Sequence, residues 1–422
     1  MTTVASLVAD AGADAAVALP PWHKDLPDAE GAMGGHRGLV PARGVVHLHS
    51  PYSHDACDNQ PRDEETLAVD EDCLADLRAA LCANRMDYAA LTDHDDSMAD
   101  EDFATLFATR GDDELVTGDG DALLASRLAC DDGRKVLLAV GGENALMPIM
   151  LDRHPPGSIP ERHEVYDGAD ATAVAAYHAA GGLAWVAHTE SRPIEHLRDI
   201  APDGIELHNL HANLDPDIRV AYLGLDASGA LTGIAAFADT SDDGPEPDLA
   251  LLSFLEPSGP ALARWTELLG DGRRVVATAG TDAHQNALPI LLRDGERGDS
   301  YRRMLRWFSN VVLVADRTDP AQIEAALAAG RAFVAFEILG TPVGFDVHAS
   351  GPGDLSAEHG AQLLASDGAT QEVSVPTVWD LDASLPAPAI RARILRIDAD
   401  GETEIAAGDG ATLSTPLDAV GA

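Results

Sequence analysis

The chain has 422 residues, 28 of them basic and 71 acidic, for a formal net charge of −43. A hydrophobic content of 45% is enough for a buried core and excludes a wholly disordered chain. Such negative charge repels phosphate backbones, and with no local basic patch no nucleic-acid partner is expected.

Residues 1–40 are rich in Ala, Asp, Gly and Pro and show little periodicity, which predicts a loosely ordered lead-in. A strand is predicted over 44–49 (GVVHLH), then a helix over 64–85 with Leu67, Leu74, Leu77 and Leu81 on one stripe. Further strands are predicted over 87–91, running into Thr92-Asp93-His94, and 136–140, running into Gly141-Gly142-Glu143. A helix over 169–180 is closed by Gly181-Gly182. The strand at 183–187 ends at His188, that at 204–207 near His208-Asn209, and that at 275–279 at Gly280-Thr281-Asp282-Ala283-His284. Val311 to Val314 precedes a helix over 320–329 that Gly330 caps. This alternation implies parallel βα units and an α/β fold over 41–338. Polar residues recur where strands run out, which in a βα barrel is the catalytic face. From 339 to 422 the texture is β-rich. Segments 371–378 and 390–405 alternate, Asp398 to Gly401 reads as a hairpin turn, and Leu395, Ile397, Ile405 and Ala407 share a face. That predicts a small β-sandwich-like domain.

Only two basic residues are lysines, Lys24 and Lys135. An acidic, lysine-poor surface suits concentrated salt, where a Debye length of ~3 Å at 1 M screens self-repulsion. Cys57, Cys73, Cys82 and Cys130 form no CxxC pair, so neither a disulfide framework nor a cysteine zinc site is expected. The stretch 1–20 has no basic n-region, and Asp10 and Asp14 interrupt it, against a signal peptide. No apolar run reaches the ~18 residues of a membrane span. These features predict a cytoplasmic protein of a high-salt-adapted cell.

The chemistry lies in the histidines. His47 and His49 are two apart at a strand end, so both imidazoles point one way and can reach one ion. Asp55 follows, and His94, Glu143, His188 and the Asp282–His284 pair end other strands. One histidine at a strand end is ordinarily structural, but five strand ends delivering His, Asp or Glu to one face point to a metal site. Imidazole with carboxylate suits zinc, manganese or iron, whereas calcium takes oxygen alone.

The set His47-Leu48-His49-Ser50-Pro51-Tyr52-Ser53-His54-Asp55, Leu91-Thr92-Asp93-His94, Gly142-Glu143, Val186-Ala187-His188 and Gly280-Thr281-Asp282-Ala283-His284 resembles the PHP domain, the polymerase-and-histidinol-phosphatase family of metal-dependent phosphoesterases. The β-rich tail resembles the branch containing carbaryl hydrolase. The resemblance implies a distorted (β/α)7 TIM-like barrel with two or three divalent ions. It implies that His47, His49, Glu143 and Asp282 hold one ion. Glu143 would bridge to a second, with His188 and one further histidine, for which His154 is preferred over His163. Asp55, His94 and His284 would hold a third.

Arg192 is a candidate phosphate clamp and Asp93 a candidate orienter of an imidazole. Glu206 and Asn209 are expected to be structural or to line the pocket wall, and His54 and His211 to line its entrance. His23, His36, His348 and His359 fall outside the constellation and are expected at the surface, and Cys57 reads as a small hydrophobe. No G-x-S-x-G elbow is present, so water is the expected nucleophile. The predicted activity is hydrolysis of a small phosphate mono- or diester, the alternative a carboxylic ester or carbamate. A non-catalytic metal-binding scaffold is disfavoured, because a retired site need not keep every ligand type.

Overall fold

The computed structural model describes residues 22–94, 98–228, 231–364, 368–418 and 421. The expectations for residues 1–21 lie outside them. From Trp22 onward the lead-in is ordered, contrary to expectation. The Asp28 carboxylate accepts from the Gly31 amide at the start of helix Ala29–Met33, and Ala29 and Met33 pack on Val311 and Ala335.

Eleven strands follow in the α/β region: β1 (Val40–Val45), β2 (Tyr88–Leu91), β3 (Glu114–Thr117), β4 (Leu123–Ala129), β5 (Lys135–Val140), β6 (Met147–Ile149), β7 (Leu183–Val186), β8 (Gly204–Asn209), β9 (Val276–Gly280), β10 (Ser309–Val314) and β11 (Ala332–Ala335). They form one sheet of order β11-β10-β1-β2-β5-β4-β3 and another of order β6-β7-β8-β9. Two isolated bridges join the sheets. Leu48, just past β1, pairs with Ala283, just past β9, and Val140 of β5 pairs with Leu151, just past β6. So β1, β2, β5, β6, β7, β8 and β9 follow one another in a ring. The ladders β1–β2–β5 and β7–β8–β9 are parallel, and β6 lies antiparallel to β7. Ala42, Tyr88, Leu137, Met147, Trp185 and Val276 from six ring strands share one buried cluster.

Three departures from the sequence reading have local causes. The helix begins at Glu71, not near residue 64, because the Asp63 carboxylate accepts from the Glu65 and Thr66 amides in a turn while Asp70 caps Glu71–Ala83. Leu67 is therefore exposed, and Leu74, Leu77 and Leu81 keep the buried stripe. β10 runs antiparallel to β1 rather than continuing the parallel series. Every residue of β10 is buried, and such a run reads alike in either direction. β3, β4, β6 and β11 were not read as strands at all.

Beyond residue 341 all regular structure among the described residues is strand. Leu355–Glu358, Asp346–Gly351, Thr370–Ser374 and Thr412–Pro416 form one antiparallel sheet in that order. Ala392–Asp398 pairs with Gly401–Gly408 across the expected hairpin turn. A register shift between Ile394 and Leu395 buries Ile394 and Ile397 and leaves Leu395 half-exposed, correcting the expected face.

The cysteines pair: Cys57 with Cys73 and Cys82 with Cys130, across 16 and 48 residues. This corrects the expected free thiols, and Cys57 is half of a crosslink rather than a small hydrophobe. It also removes the support that cysteine usage gave to a cytoplasmic location, because disulfides persist in oxidising compartments. Chain-entropy arguments assign about 3 and about 4 kcal/mol to loops of these lengths. The double variant Cys82→Ala/Cys130→Ala is therefore expected to lower the thermal midpoint by several degrees relative to wild type. An unchanged midpoint in oxidising buffer would show that this crosslink does not hold the fold. No helix among the described residues is long and apolar enough to cross a membrane.

Candidate metal centre

The C-terminal ends of the six ring strands other than β6 deliver donors to one place. Past β1 the chain carries His47 and His49; past β2, His94; past β5, Glu143; past β7, His188; past β8, His211; past β9, Asp282 and His284. His188 and Asp282 have φ of 49° and 54°, left-handed conformations that bulky residues rarely adopt and that mark functional backbone. At Gly280 a Cβ would lie 1.8 Å from Glu206 Oε1 and 2.7 Å from His47 Cβ, so only glycine lets β9 approach His47.

Five imidazoles are held the same way. Each donates from Nδ1 to a fixed acceptor: His47 to Glu206 Oε1 at 2.8 Å, His49 to Ser53 Oγ at 3.1 Å, His94 to the Glu143 carbonyl at 2.6 Å, His188 to Glu190 Oε1 at 3.2 Å, and His284 to the Asp282 carbonyl at 2.9 Å. A proton fixed on Nδ1 leaves the Nε2 lone pair as the donor. Those Nε2 atoms converge on carboxylates. His47 and His49 lie 3.2 and 3.3 Å from Glu143 Oε2, and each lies 3.2 Å from Asp282 Oδ1. His188 is 3.4 Å from Glu143 Oε1 and 3.2 Å from Asp282 Oδ2. Asp55 Oδ2 is 3.1 Å from His284 and 3.5 Å from His94.

The Nε2 atoms of His47, His49 and His284 and Oδ1 of Asp282 are buried without a hydrogen bond. Two donors each about 2.1 Å from one ion sit roughly 3.0–3.4 Å apart. The spacing and the orphaned atoms therefore fit metal ligands and do not fit hydrogen bonds. Donor groups close enough to share an ion are His47, His49, Glu143 and Asp282; His49, Asp55, His94 and His284; and His211, Asp282 and His284.

Electrostatics agree. Burial alone would push Glu143 and Asp282 up, but the facing imidazoles, His47 foremost, hold both well below the carboxylate range. Burial would depress His47, and Asp282, Glu206 and Glu143 override it, holding the ring well above its usual value. Burial likewise opposes His94, which Asp55 and Glu143 raise to about 9. The cluster calls for positive charge, which a cation supplies.

Supporting residues complete the frame. Asn209 donates to Glu206 Oε2 at 2.9 Å, and its Oδ1 accepts from the Ala212 amide. Tyr301, fully buried, places its hydroxyl 2.9 Å from the His49 carbonyl and 3.2 Å from that of His284, tying β1 to β9. Ser53 accepts from His49 and donates to Asp55 at 3.0 Å. Ser53, Glu190 and Tyr301 were missed from sequence. For the first two the signal was nearness, six residues past His47 and two past His188.

Three expected roles change. His154 does not join the cluster; its nitrogens meet the Tyr166 hydroxyl at 3.0 Å and the Glu101 carbonyl at 2.9 Å, which satisfies both. His163, its rival, is paired with Asp100 at 2.9 Å. Asp93 orients no imidazole. Its carboxylate accepts from the Ser50 amide and hydroxyl at 2.6 and 2.7 Å, fixing the loop that follows His49, and burial raises it to about 6. His54 is exposed at the rim, its ring 5.3 Å from that of His94. Among the described residues the Arg192 guanidinium forms no ion pair, and its Nε is buried without a partner. His23 is exposed, as expected, but His36, His348 and His359 are half-buried near Asp346.

No protein-family model matches the sequence, and no curated protein is significantly similar to it. Among solved structures, the chain is similar to a two-domain protein containing a predicted PHP-like metal-dependent phosphoesterase from Bacteroides vulgatus, at 13% identity over 85% of this chain and 80% of that one, TM-score 0.36. It is also similar to PsfC from Pseudomonas syringae, at 11% identity over 70% and 91%, TM-score 0.35. A third similarity is to the lesion-specific endonuclease PfuEndoQ from Pyrococcus furiosus, at 11% identity over 68% and 56%, TM-score 0.33. All three likenesses are distant, and the functional reading rests on the site's own residues.

Proposed function

We propose that this chain is a metal-dependent hydrolase of the PHP type, acting on a small phosphate mono- or diester with two or three bound zinc, manganese or iron ions. The ring of strands is read as its distorted seven-stranded barrel. The carrying observation is the convergence of Nε2 lone pairs, each locked by an Nδ1 hydrogen bond, on the carboxylates of Glu143 and Asp282, with Asp282 Oδ1 buried and without a hydrogen bond. Divalent ions, when bound, acidify water from a pKa of 15.7 to ~7 and neutralise charge developing on a phosphoryl oxygen.

The protein's own groups hold and orient. His47, His49, Glu143 and Asp282 form the central site, and Asp55, His94 and His284 the outer one. Glu206, Ser53 and Glu190 keep the imidazoles in one tautomer. Arg192 follows His188 at the end of the turn Thr189–Ser191, and its unpaired guanidinium suits a bidentate grip on a substrate phosphate.

A panel of phosphomonoesters, phosphodiesters and carboxylic esters, assayed in molar salt after reconstitution with each metal, tests the class. Turnover of a phosphate ester is expected. Turnover of carboxylic esters alone would overturn the phosphoesterase reading in favour of a carboxylesterase, and turnover of no ester would overturn both. Arg192→Ala is expected to raise KM for the phosphate ester at least about tenfold with unchanged metal content. An unchanged KM would remove Arg192 from the substrate's path.

A further inference from the structure

Asp55 is the one carboxylate of the outer donor group, which also takes His49, His94 and His284. Two residues on, Cys57 opens a run of three left-handed residues, Cys57, Asp58 and Asn59, with φ of 55°, 58° and 61°. None is glycine, so each costs free energy that surrounding contacts must hold. The turn they make aims the Cys57 and Asp58 amides at the carbonyls of His284 and Gln285, at 2.9 and 3.0 Å. Little but a covalent bond holds that turn. Cys57 is joined to Cys73 in the first turn of the helix Glu71–Ala83, and between the two cysteines only Pro61 is buried. The bidentate pair of Asp58 with Arg297, 2.8 Å on each arm, lies at the surface, where salt weakens it. The crosslink also lies behind two further donors, because Cys73 Sγ is 4.0 Å from the Tyr301 hydroxyl that meets the His49 and His284 carbonyls.

We propose that the Cys57–Cys73 disulfide is a redox latch on the outer ion site; the proposal rests on the metal-dependent reading above. Closed, the bond holds Asp55 against His94 and His284. Opened by a dithiol, it frees that carboxylate, and the outer site loses its ion while His47, His49, Glu143 and Asp282 keep theirs. Cys57 and Cys73 are buried, but the chain beside them, Asp58–Gln60 and Glu71–Asp72, is exposed, so the sulfurs lie one layer beneath the surface. One thiolate of the dithiol attacks Cys57 Sγ, and Cys73 leaves as a thiolate and takes up a proton. The second thiol then displaces Cys57 from the mixed disulfide. Two electrons and two protons have passed to the cysteines, and the dithiol is left as a disulfide. The other bond, Cys82–Cys130, joins the far end of the same helix to the residue after β4, and it serves as the control.

Wild type, Cys57→Ala/Cys73→Ala and Cys82→Ala/Cys130→Ala are stripped with chelator and reloaded with zinc in molar salt, alanine leaving no thiol to bind it. Equivalents are counted by elemental analysis, and affinities are measured by titration calorimetry. Groups that orient a ligand are worth ~10–100-fold in metal affinity. Cys57→Ala/Cys73→Ala is therefore expected to lose one equivalent or to bind its weakest ion at least ~10-fold less tightly, while Cys82→Ala/Cys130→Ala matches wild type. Wild-type zinc content and affinity in the first variant would overturn the proposal. So would loss of every ion there, or the same loss in the second variant, since either makes the crosslink a general support of the fold. Hydrogen exchange reads the latch without an ion, on metal-free Cys82→Ala/Cys130→Ala, where one disulfide remains to be reduced. Dithiothreitol is expected to speed exchange at positions 57 and 58 at least about tenfold, and reoxidation to restore it. Exchange unmoved by reduction would overturn the proposal. A wild type that binds no zinc would overturn the metal-dependent reading, whereas one that binds zinc and hydrolyses no ester would overturn the hydrolase alone.

Discussion

Replacing Glu143 by glutamine is expected to cut turnover at least ~100-fold while leaving the fold intact. One carboxylate oxygen faces His47 and His49 and the other faces His188, so a single side chain meets three of the converging imidazoles. Glutamine keeps the shape but removes the charge, and its NH2 group has no lone pair to offer a cation. Metal-derived stabilisation is worth several kcal/mol, and each ~1.4 kcal/mol is a factor of ten. Circular dichroism should match wild type, because the residue lies past the end of β5 and outside any ladder. Turnover above a tenth of wild type would mean that Glu143 does not bridge.

Chelation in dilute buffer is expected to unfold the protein, whereas molar salt protects it. A net charge of −43 repels itself over ~30 Å at 0.01 M, and the three carboxylates Asp55, Glu143 and Asp282 add buried or half-buried negative charge at one point. A ligand bound only by the folded state adds about 4 kcal/mol at a thousandfold excess over its Kd. The apoprotein should therefore unfold at a higher salt concentration than the loaded form. Circular dichroism during dialysis, with and without chelator, measures both midpoints, and repeating it with dithiothreitol separates the contribution of the disulfides. Coincident midpoints would show that the metals add no stability, and a fold unchanged in dilute buffer with chelator would make the acidic surface incidental.

What could be read from sequence was whatever depends on short-range periodicity. Two imidazoles two apart on a strand, and acids or histidines at successive strand ends, locate a site without knowledge of the partners. What could not be read depends on contacts made late or at a distance. His154 is removed from the site by Tyr166 and the Glu101 carbonyl, groups with no spacing signature. His211, read as lining the entrance, meets Asp282 Oδ2 at 3.1 Å just past a one-residue slip in β8 that leaves no mark on hydropathy. The Cys57–Cys73 bond begins at three successive left-handed residues, Cys57, Asp58 and Asn59, none of them glycine. Asp93 was read as the orienter of an imidazole, but its carboxylate accepts from Ser50, at the neighbouring strand end.

The pairing of Leu48 with Ala283 has a consequence for how the protein is made. Two of the three donor groups draw on both sides of that seam, so a nascent chain that has not yet yielded β9 holds His47, His49 and Glu143 but lacks Asp282 and His284. Closing a loop of that length is entropically slow, and contacts so far apart in sequence form late. Metal offered during synthesis meets a half-built cage, and full loading waits on the docking of the last ring strand. On the metal-dependent reading proposed above, maturation would have an order in which the ring closes first and the ions follow.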